Sequence, residues 1–356
     1  MSDTKLDITS KQLMAYIVSA QIGIGILSLP STIVAETGHD GWISVILGGI
    51  LCLLLSSLII ALLKIYENKT IFEINVIVYG KIFGFLLNIF IILYLLFITA
   101  ITIRIFTETV NIIILRFTPQ FIITILILIP TIYAMTKGLK LICRFASLLF
   151  IGYFILLMTM LFIVKDLKLT YILPIGRIGA IKIIKNMNIT IYSYLGFELA
   201  GLFYPRVKDK ENTGKAIVIG ILFTITYYTV IVLISTMFFG EVKLSMMVFP
   251  IYNIEQAISI PVIERLDTVY ILFWLPTMGG TVRAYLYSVY YSASTIFKAK
   301  RQGYVFALIV LLEIIASRVP KNFESTYKYS TYSGVMGITV IFLIIVTFFI
   351  SYLRKK

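Results

Sequence analysis

Ten apolar runs, each near the length that crosses a bilayer, follow one another along the chain: 12–35, 42–63, 82–110, 119–136, 141–164, 187–204, 215–239, 266–296, 303–317 and 332–353. Hydrocarbon supplies no hydrogen bonds, so a spanning backbone must satisfy its own peptide groups. About 20 apolar residues cover the ~30 Å core as a helix. Hydrophobic residues make up 60% of the sequence and charged residues only 13%, about half the ~25% of soluble domains. These features predict an all-α polytopic membrane protein with ten transmembrane helices, a single membrane domain over residues 1–356. Segment 241–263 is also apolar but carries Glu241, Pro250, Glu255 and Pro261. It is expected to lie at the interface or re-enter rather than cross.

The net charge is +14. The basic residues sit in short loops and form no groove interleaved with aromatics. This argues for topology and contact with anionic lipid of the bilayer, not for nucleic acid. With the N-terminus in the cytoplasm, the inside segments hold eighteen Lys and Arg and the outside segments eleven. N- and C-termini are therefore both expected to be cytoplasmic. Five outer residues, Lys165, Lys168, Arg177, Lys182 and Lys185, cluster in one loop and run against that assignment. The polar start MSDTKLDITSKQ and the long run after it predict no cleavable signal peptide. Cys52 and Cys143 read as free thiols in apolar surroundings. His39, the single histidine, reads as a surface residue, since no cluster of ligands makes it a metal site. No phosphate loop, nucleophile elbow or metalloprotease motif is present. Neither an enzyme nor a cofactor or metal is expected.

The first run contains QIGIGILSLP, Gln21 to Pro30. Gly costs about 1 kcal/mol in a helix interior and Pro about 3. Pro30 also removes the N–H that would bond the carbonyl of Ile26. Small residues can serve close helix packing, but Gly23 and Gly25 are two apart and form no GxxxG face. Unwinding is the preferred reading, because broken backbone is tolerable where it lines a polar cavity. The sixth run reads IYSYLGFELAGLFYP, with Gly196, Gly201, Pro205 and an intramembrane carboxylate, Glu198. Interrupted first and sixth spans fit a five-plus-five inverted repeat, about 12–164 and 187–353.

The YLGFE at 194–198, together with the Gly-rich first span, resembles the amino acid–polyamine–organocation transporter superfamily. That resemblance implies a LeuT-like fold. Residues 8–45, YSYLGFE with the YPRVKD turn, and ERLDTVYILFW at 264–274 resemble the spore germination permease family more narrowly, over essentially the whole chain. Members are the B subunits of GerA-type germinant receptors. The resemblance implies a sensor of a small nutrient, often an amino acid, in the spore inner membrane of a bacterium. It also implies the A and C subunits of the receptor as partners. A proton- or sodium-coupled amino acid transporter is the alternative.

The break in span one is expected to leave free N–H groups near Ile26 and Leu27, which favour a carboxylate. The break in span six should leave free carbonyls near Tyr194, Leu195 and Gly196, which can accept from an ammonium. Together with Gly23 and Gly25 they match the two ends of an α-amino acid, although a neutral solute could use the same groups. Glu198 either binds a ligand ammonium or a proton, or caps the inner half of span six; the cap is preferred. Tyr94, Ile98 and Thr102 form one stripe on span three, and Thr277, Thr281 and Tyr285 one on span eight. The superfamily fold puts both spans beside the broken helices. Arg104 and Glu108 are spaced for an i,i+4 ion pair. Arg283 can pair with Glu198, meet an anionic ligand or snorkel to an interface.

Overall fold

A computed structural model describes residues 7–23, 25–258, 266–297 and 301–355. The chain forms α1 (Ser10–Gln21), α2 (Gly25–Thr37), α3 (Gly41–Ile65), α4 (Ile71–Ile113), α5 (Gln120–Thr136), α6 (Leu139–Thr159), α7 (Ala180–Tyr194), α8 (Ala200–Phe203), α9 (Lys210–Phe239), α10 (Glu241–Ser245), α11 (Pro250–Ala257), α12 (Leu266–Ile296), α13 (Gln302–Ala316) and α14 (Phe323–Lys355). Short 3-10 turns join several of them. Among the described residues, the one β-type pairing is a parallel bridge between Ile8 and Val207.

Every apolar run coincides with helix. Among the described residues, five helical stretches are long and apolar enough to cross a bilayer by length and composition, and α5 and α13 are shorter apolar helices. The first run is split between α1 and α2. The third begins just after Gly80, where α4 kinks (φ 82°, ψ 174°). The limb before the kink is tied back onto the helix: Asn75 Nδ2 donates to Asn88 Oδ1 at 2.8 Å, and Asn88 Nδ2 to the Phe72 carbonyl at 3.0 Å. Within 241–263 the structure holds α10 and α11, of five and eight residues. Even eight residues span only about 12 Å, too short for a crossing. Pro261 lies outside the described residues.

Large apolar side chains such as Phe83, Leu86, Leu126, Ile151 and Phe342 stand exposed around the bundle. A water-soluble monomer does not carry a patch of that extent; lipid is its solvent. Inside the belt, α1 packs against α6, α9 and α12, while α2 packs against α7. α3 lies against α7 and α9, and α4 against α12 and α14. α13 sits at the edge, against α12 and α4.

Both chain ends lie on one face of the bundle. Asp7 pairs with Arg206, Gly201 lies against Ile71, and Arg354 Nη1 donates to the Val78 carbonyl at 2.7 Å. The basic loop at 165–185 folds onto part of the opposite face. Asp40 accepts from the Gly176 N–H at 2.8 Å, and the Lys168 N–H donates to the Met237 carbonyl at 3.0 Å. His39 is 3% exposed, so the expectation of a surface residue is corrected. Its Nδ1 lies 3.0 Å from Glu241 Oε2 and its Nε2 2.8 Å from the Pro174 carbonyl. The loop that runs against a simple charge rule thus folds onto the turn between α2 and α3.

Candidate functional site

The two breaks meet at the centre of the bundle. α1 ends at Gln21, Ile22 leaves helical geometry (φ −82°, ψ 84°), and α2 begins at Gly25. Pro30 lies inside α2, so it does not mark the break. α7 ends at Tyr194, Leu195 is extended, and Gly196 takes φ 127°. That left-handed value is costly for any residue with a Cβ. Gly25 is required for space: a Cβ there would lie 2.8 Å from Ser193 Cβ and 3.1 Å from its Cα. Close packing and unwinding therefore occur in the same stretch.

The carbonyls released by the breaks are met by hydroxyl and amide groups of this chain. Thr281 donates to the Ser19 carbonyl at 2.8 Å and Tyr153 to that of Ile22 at 3.3 Å. Tyr228 donates to the carbonyls of Gln21 at 2.7 Å and Ser193 at 3.1 Å. Gln21 Nε2 donates to the Tyr194 carbonyl at 2.7 Å, and Thr224 holds Gln21 Oε1 at 2.9 Å. The expectation of a free carbonyl at Tyr194, waiting for an ammonium, is corrected. An unpaired carbonyl in the bilayer is costly, and Gln21 removes that cost from the adjacent break.

Glu198 is 5% exposed. Its Oε2 accepts from the Gly196 N–H at 2.7 Å; its Oε1 accepts from Tyr94 at 2.7 Å and, at a long 3.5 Å, from Tyr285. The carboxyl therefore caps the second break and pins α4 and α12 to it. Arg283 does not reach it. Arg283 Nη2 donates to the Pro276 carbonyl at 2.9 Å, and the guanidinium lies 4.4 Å from the centre of the Phe145 ring.

Beside this cluster is a cavity of about 20 Å³, space for one water. Gly25, Ile98, Thr102, Leu195, Thr281 and Tyr285 line it. Ala20, Gln21, Tyr192 and Ser193 complete the wall. A vestibule of about 570 Å³ lies next to it, between α2, α7, α14 and the α10–α11 segment. Gly25, Tyr192 and Ser193 border both spaces. On the opposite side, the ends of the broken helices nearest the chain termini are latched. Besides the Asp7–Arg206 pair, the Ser10 N–H donates to Asp209 Oδ1 at 2.8 Å and the Lys208 N–H to the Ile8 carbonyl at 3.0 Å. The centre is approached from the vestibule and shut toward the chain ends.

Of the other expected site residues, Tyr94, Gly196 and Glu198 form the cluster bordering the cavity. Gly23 packs on Thr281, and Ile26 is buried within α2. Tyr194 points away, its hydroxyl donating to the Val45 carbonyl at 3.0 Å. Thr277 donates to the Trp274 carbonyl at 2.7 Å and faces Gly152 of α6. The side chain of Leu27 lies outside the described residues. Arg104 and Glu108 form the expected pair at 2.7 Å, which Thr326 extends to α14 at 3.1 Å. Sequence reasoning missed Gln21, Tyr192 and Ser193. Gln21 carried a signal, an uncharged amide inside an apolar span.

Residues 7–326 match the family described as spore germination protein. Spore germination protein B2 of Bacillus subtilis (strain 168) is 28% identical over 364 residues, covering 100% of this chain and 98% of the relative. The fold is shared with MhsT, solved in complex with L-phenylalanine: TM-score 0.68, 13% identity, 98% of this chain and 99% of that one. It is shared also with a Na+-coupled sialic acid symporter in a substrate-bound outward-open state: TM-score 0.71, 11% identity, 98% and 81% covered. The latter two show the architecture alone. This multi-pass membrane protein thus belongs to the spore germination permease family, a B-type, non-enzymatic subunit built on a LeuT-like transporter fold.

Proposed function

We propose that the chain is the nutrient-sensing subunit of a germinant receptor and binds a small amino acid where the two broken helices meet. Ten crossings in a five-plus-five inverted repeat would hold the site at mid-membrane, with both termini in the cytoplasm of the spore and the vestibule facing outward. The observation that carries the reading is the junction at Gly25. There the first turn of α2 borders both the vestibule and the central cavity, and its N–H groups favour a carboxylate. The L-phenylalanine in the MhsT complex supports the class of ligand. The Tyr194 carbonyl is occupied by Gln21, so the ammonium would be received by Glu198 or by the hydroxyls beside it.

The cavity of about 20 Å³ is smaller than any amino acid. Binding must therefore favour an arrangement in which the residues between the two spaces, Gly25, Tyr192 and Ser193, move apart. A ligand shifts such an equilibrium only by its differential affinity for the two states. Receptor partners corresponding to the A and C subunits would read that shift. The test is radiolabelled amino acid binding and uptake in proteoliposomes, with and without those partners. Saturable binding with no net uptake supports the sensor. Concentrative uptake by the chain alone would make it a coupled transporter instead.

A further inference from the structure

A second cavity, of about 290 Å³, lies between α4, α13 and the start of α14. It is separate from the central one. α4 divides them, turning Ile98 and Thr102 to the centre and Leu93, Phe97 and Ala100 to this groove. The lining is apolar except for the carboxyl of Glu313 and the phenol of Tyr329. Glu313 has 0% exposure, and neither of its carboxyl oxygens has a hydrogen-bond partner among the described residues. Arg318, its basic neighbour in sequence, lies instead over the Phe121 ring at 5.3 Å. A carboxyl buried in apolar surroundings without a partner is costly to ionise, and an arriving cation offsets that cost as the proton leaves.

We propose that this groove is a binding site for a small lipophilic ammonium, a cationic amine on an apolar body. Glu313 supplies the counter-charge. Phe97 and Tyr329, in edge contact at 6.1 Å between ring centres, line the same space; aromatic faces attract cations. Among the described residues no basic side chain lines the groove, so none of them would hold the carboxylate of an amino acid there. The ligand class therefore differs from that of the central site. Leu93, Leu312 and Val319 at the rim are exposed on the side of the bundle, which gives entry from the bilayer, where amphiphilic amines concentrate. Because α4 also carries Tyr94, an occupant would lie one helix away from the Glu198 cluster.

The test is thermal unfolding of the full chain in phosphatidylglycerol nanodiscs, titrated with n-hexylammonium or with 1-hexanol as the uncharged counterpart. The expected result is saturable stabilisation by hexylammonium at a concentration at least tenfold below that of hexanol. Glu313→Gln should abolish the difference between the two. Ala316→Trp, which fills the groove from its rim, should abolish saturable stabilisation by both and decides the matter if Glu313→Gln does not fold. Stabilisation by added phosphatidylethanolamine that is lost in Glu313→Gln would identify a lipid headgroup as the source of the same ammonium. Equal effects of amine and alcohol on the wild type, or an amine advantage that survives Glu313→Gln (or Ala316→Trp, where Glu313→Gln does not fold), would overturn the proposal. Neither result bears on the central site.

Discussion

Glu198 is held by three elements at once, and this makes it the residue whose removal is most informative. Tyr94 from α4 and the Gly196 N–H from the break both donate to it at 2.7 Å. Tyr94→Phe leaves a buried acceptor short of a donor and should cost about 1–3 kcal/mol. Because both groups belong to one network, the double variant Tyr94→Phe with Glu198→Gln should be less destabilised than the sum of the singles. Chemical unfolding of the four proteins in micelles measures this; strict additivity would mean the two do not interact. At this scale the sequence was partly legible. A carboxylate inside an apolar run is costly enough to stand out, and it was assigned both a capping and a ligand role. Thr277 was misplaced because spacing gives a helical face, not the neighbour it meets, and the Tyr194 carbonyl was expected free because its partner Gln21 comes from the other break. Gln21 was missed for the same reason: its partners lie in α7 and α9, more than 170 residues away.

At the scale of elements, the breaks follow from local chemistry. Gly and Pro carry helix penalties that any reader can sum, so α1–α2 and α7–α8 were foreseen as interrupted. The second half of the first span was expected to start near Ile26 and Leu27, and α2 begins at Gly25; the chain parts at Ile22, and Pro30 is absorbed into α2. The latch on the chain-end face was invisible, since Asp7 and Arg206 are far apart in sequence and meet through the fold. Arg206→Ala should loosen the chain-end face. Native Cys143, buried beside the latch, should then react with a maleimide several-fold to about tenfold faster, in line with ~1 kcal/mol. Cys52, buried near Glu198, serves as the internal control. An unchanged Cys143 rate would remove the latch from the account.

The cap on the opposite face makes a pH prediction. Burial of His39 disfavours its charge, but the Pro174 carbonyl and the Glu241 carboxylate together outweigh burial and raise its pKa above 6.5. Both ring nitrogens face acceptors, so the charged form is the one that fits. The stabilisation is therefore fully present below about pH 6.5, the unfolded value, and is lost as pH rises through the raised folded value. Glu241 is lowered by the His39 bond and stays ionised throughout that window. The stability difference between wild type and His39→Gln should be largest at low pH and shrink as pH rises past 6.5. A difference that is flat or grows with pH would contradict this.

For the whole molecule, the class was readable because lipid imposes one rule on every span and the apolar runs obey it; the family was readable only through the resemblance of residues 8–45, YSYLGFE and ERLDTVYILFW. Which state the bundle occupies was not readable, because it depends on how rigid groups sit against one another. The structure is latched toward its ends and open at a vestibule of about 570 Å³, with the centre closed between them. In the proposed account, nutrient binding moves the bundle away from this arrangement, and the receptor responds to that movement. The most direct measurement is equilibrium binding of the twenty common L-amino acids, radiolabelled, to the purified chain in nanodiscs, beside Gly25→Leu. The account predicts saturable binding of at least one amino acid by the wild type, and its loss in a Gly25→Leu protein that still inserts and folds. Binding that survives Gly25→Leu unchanged, or none by the wild type, would contradict it.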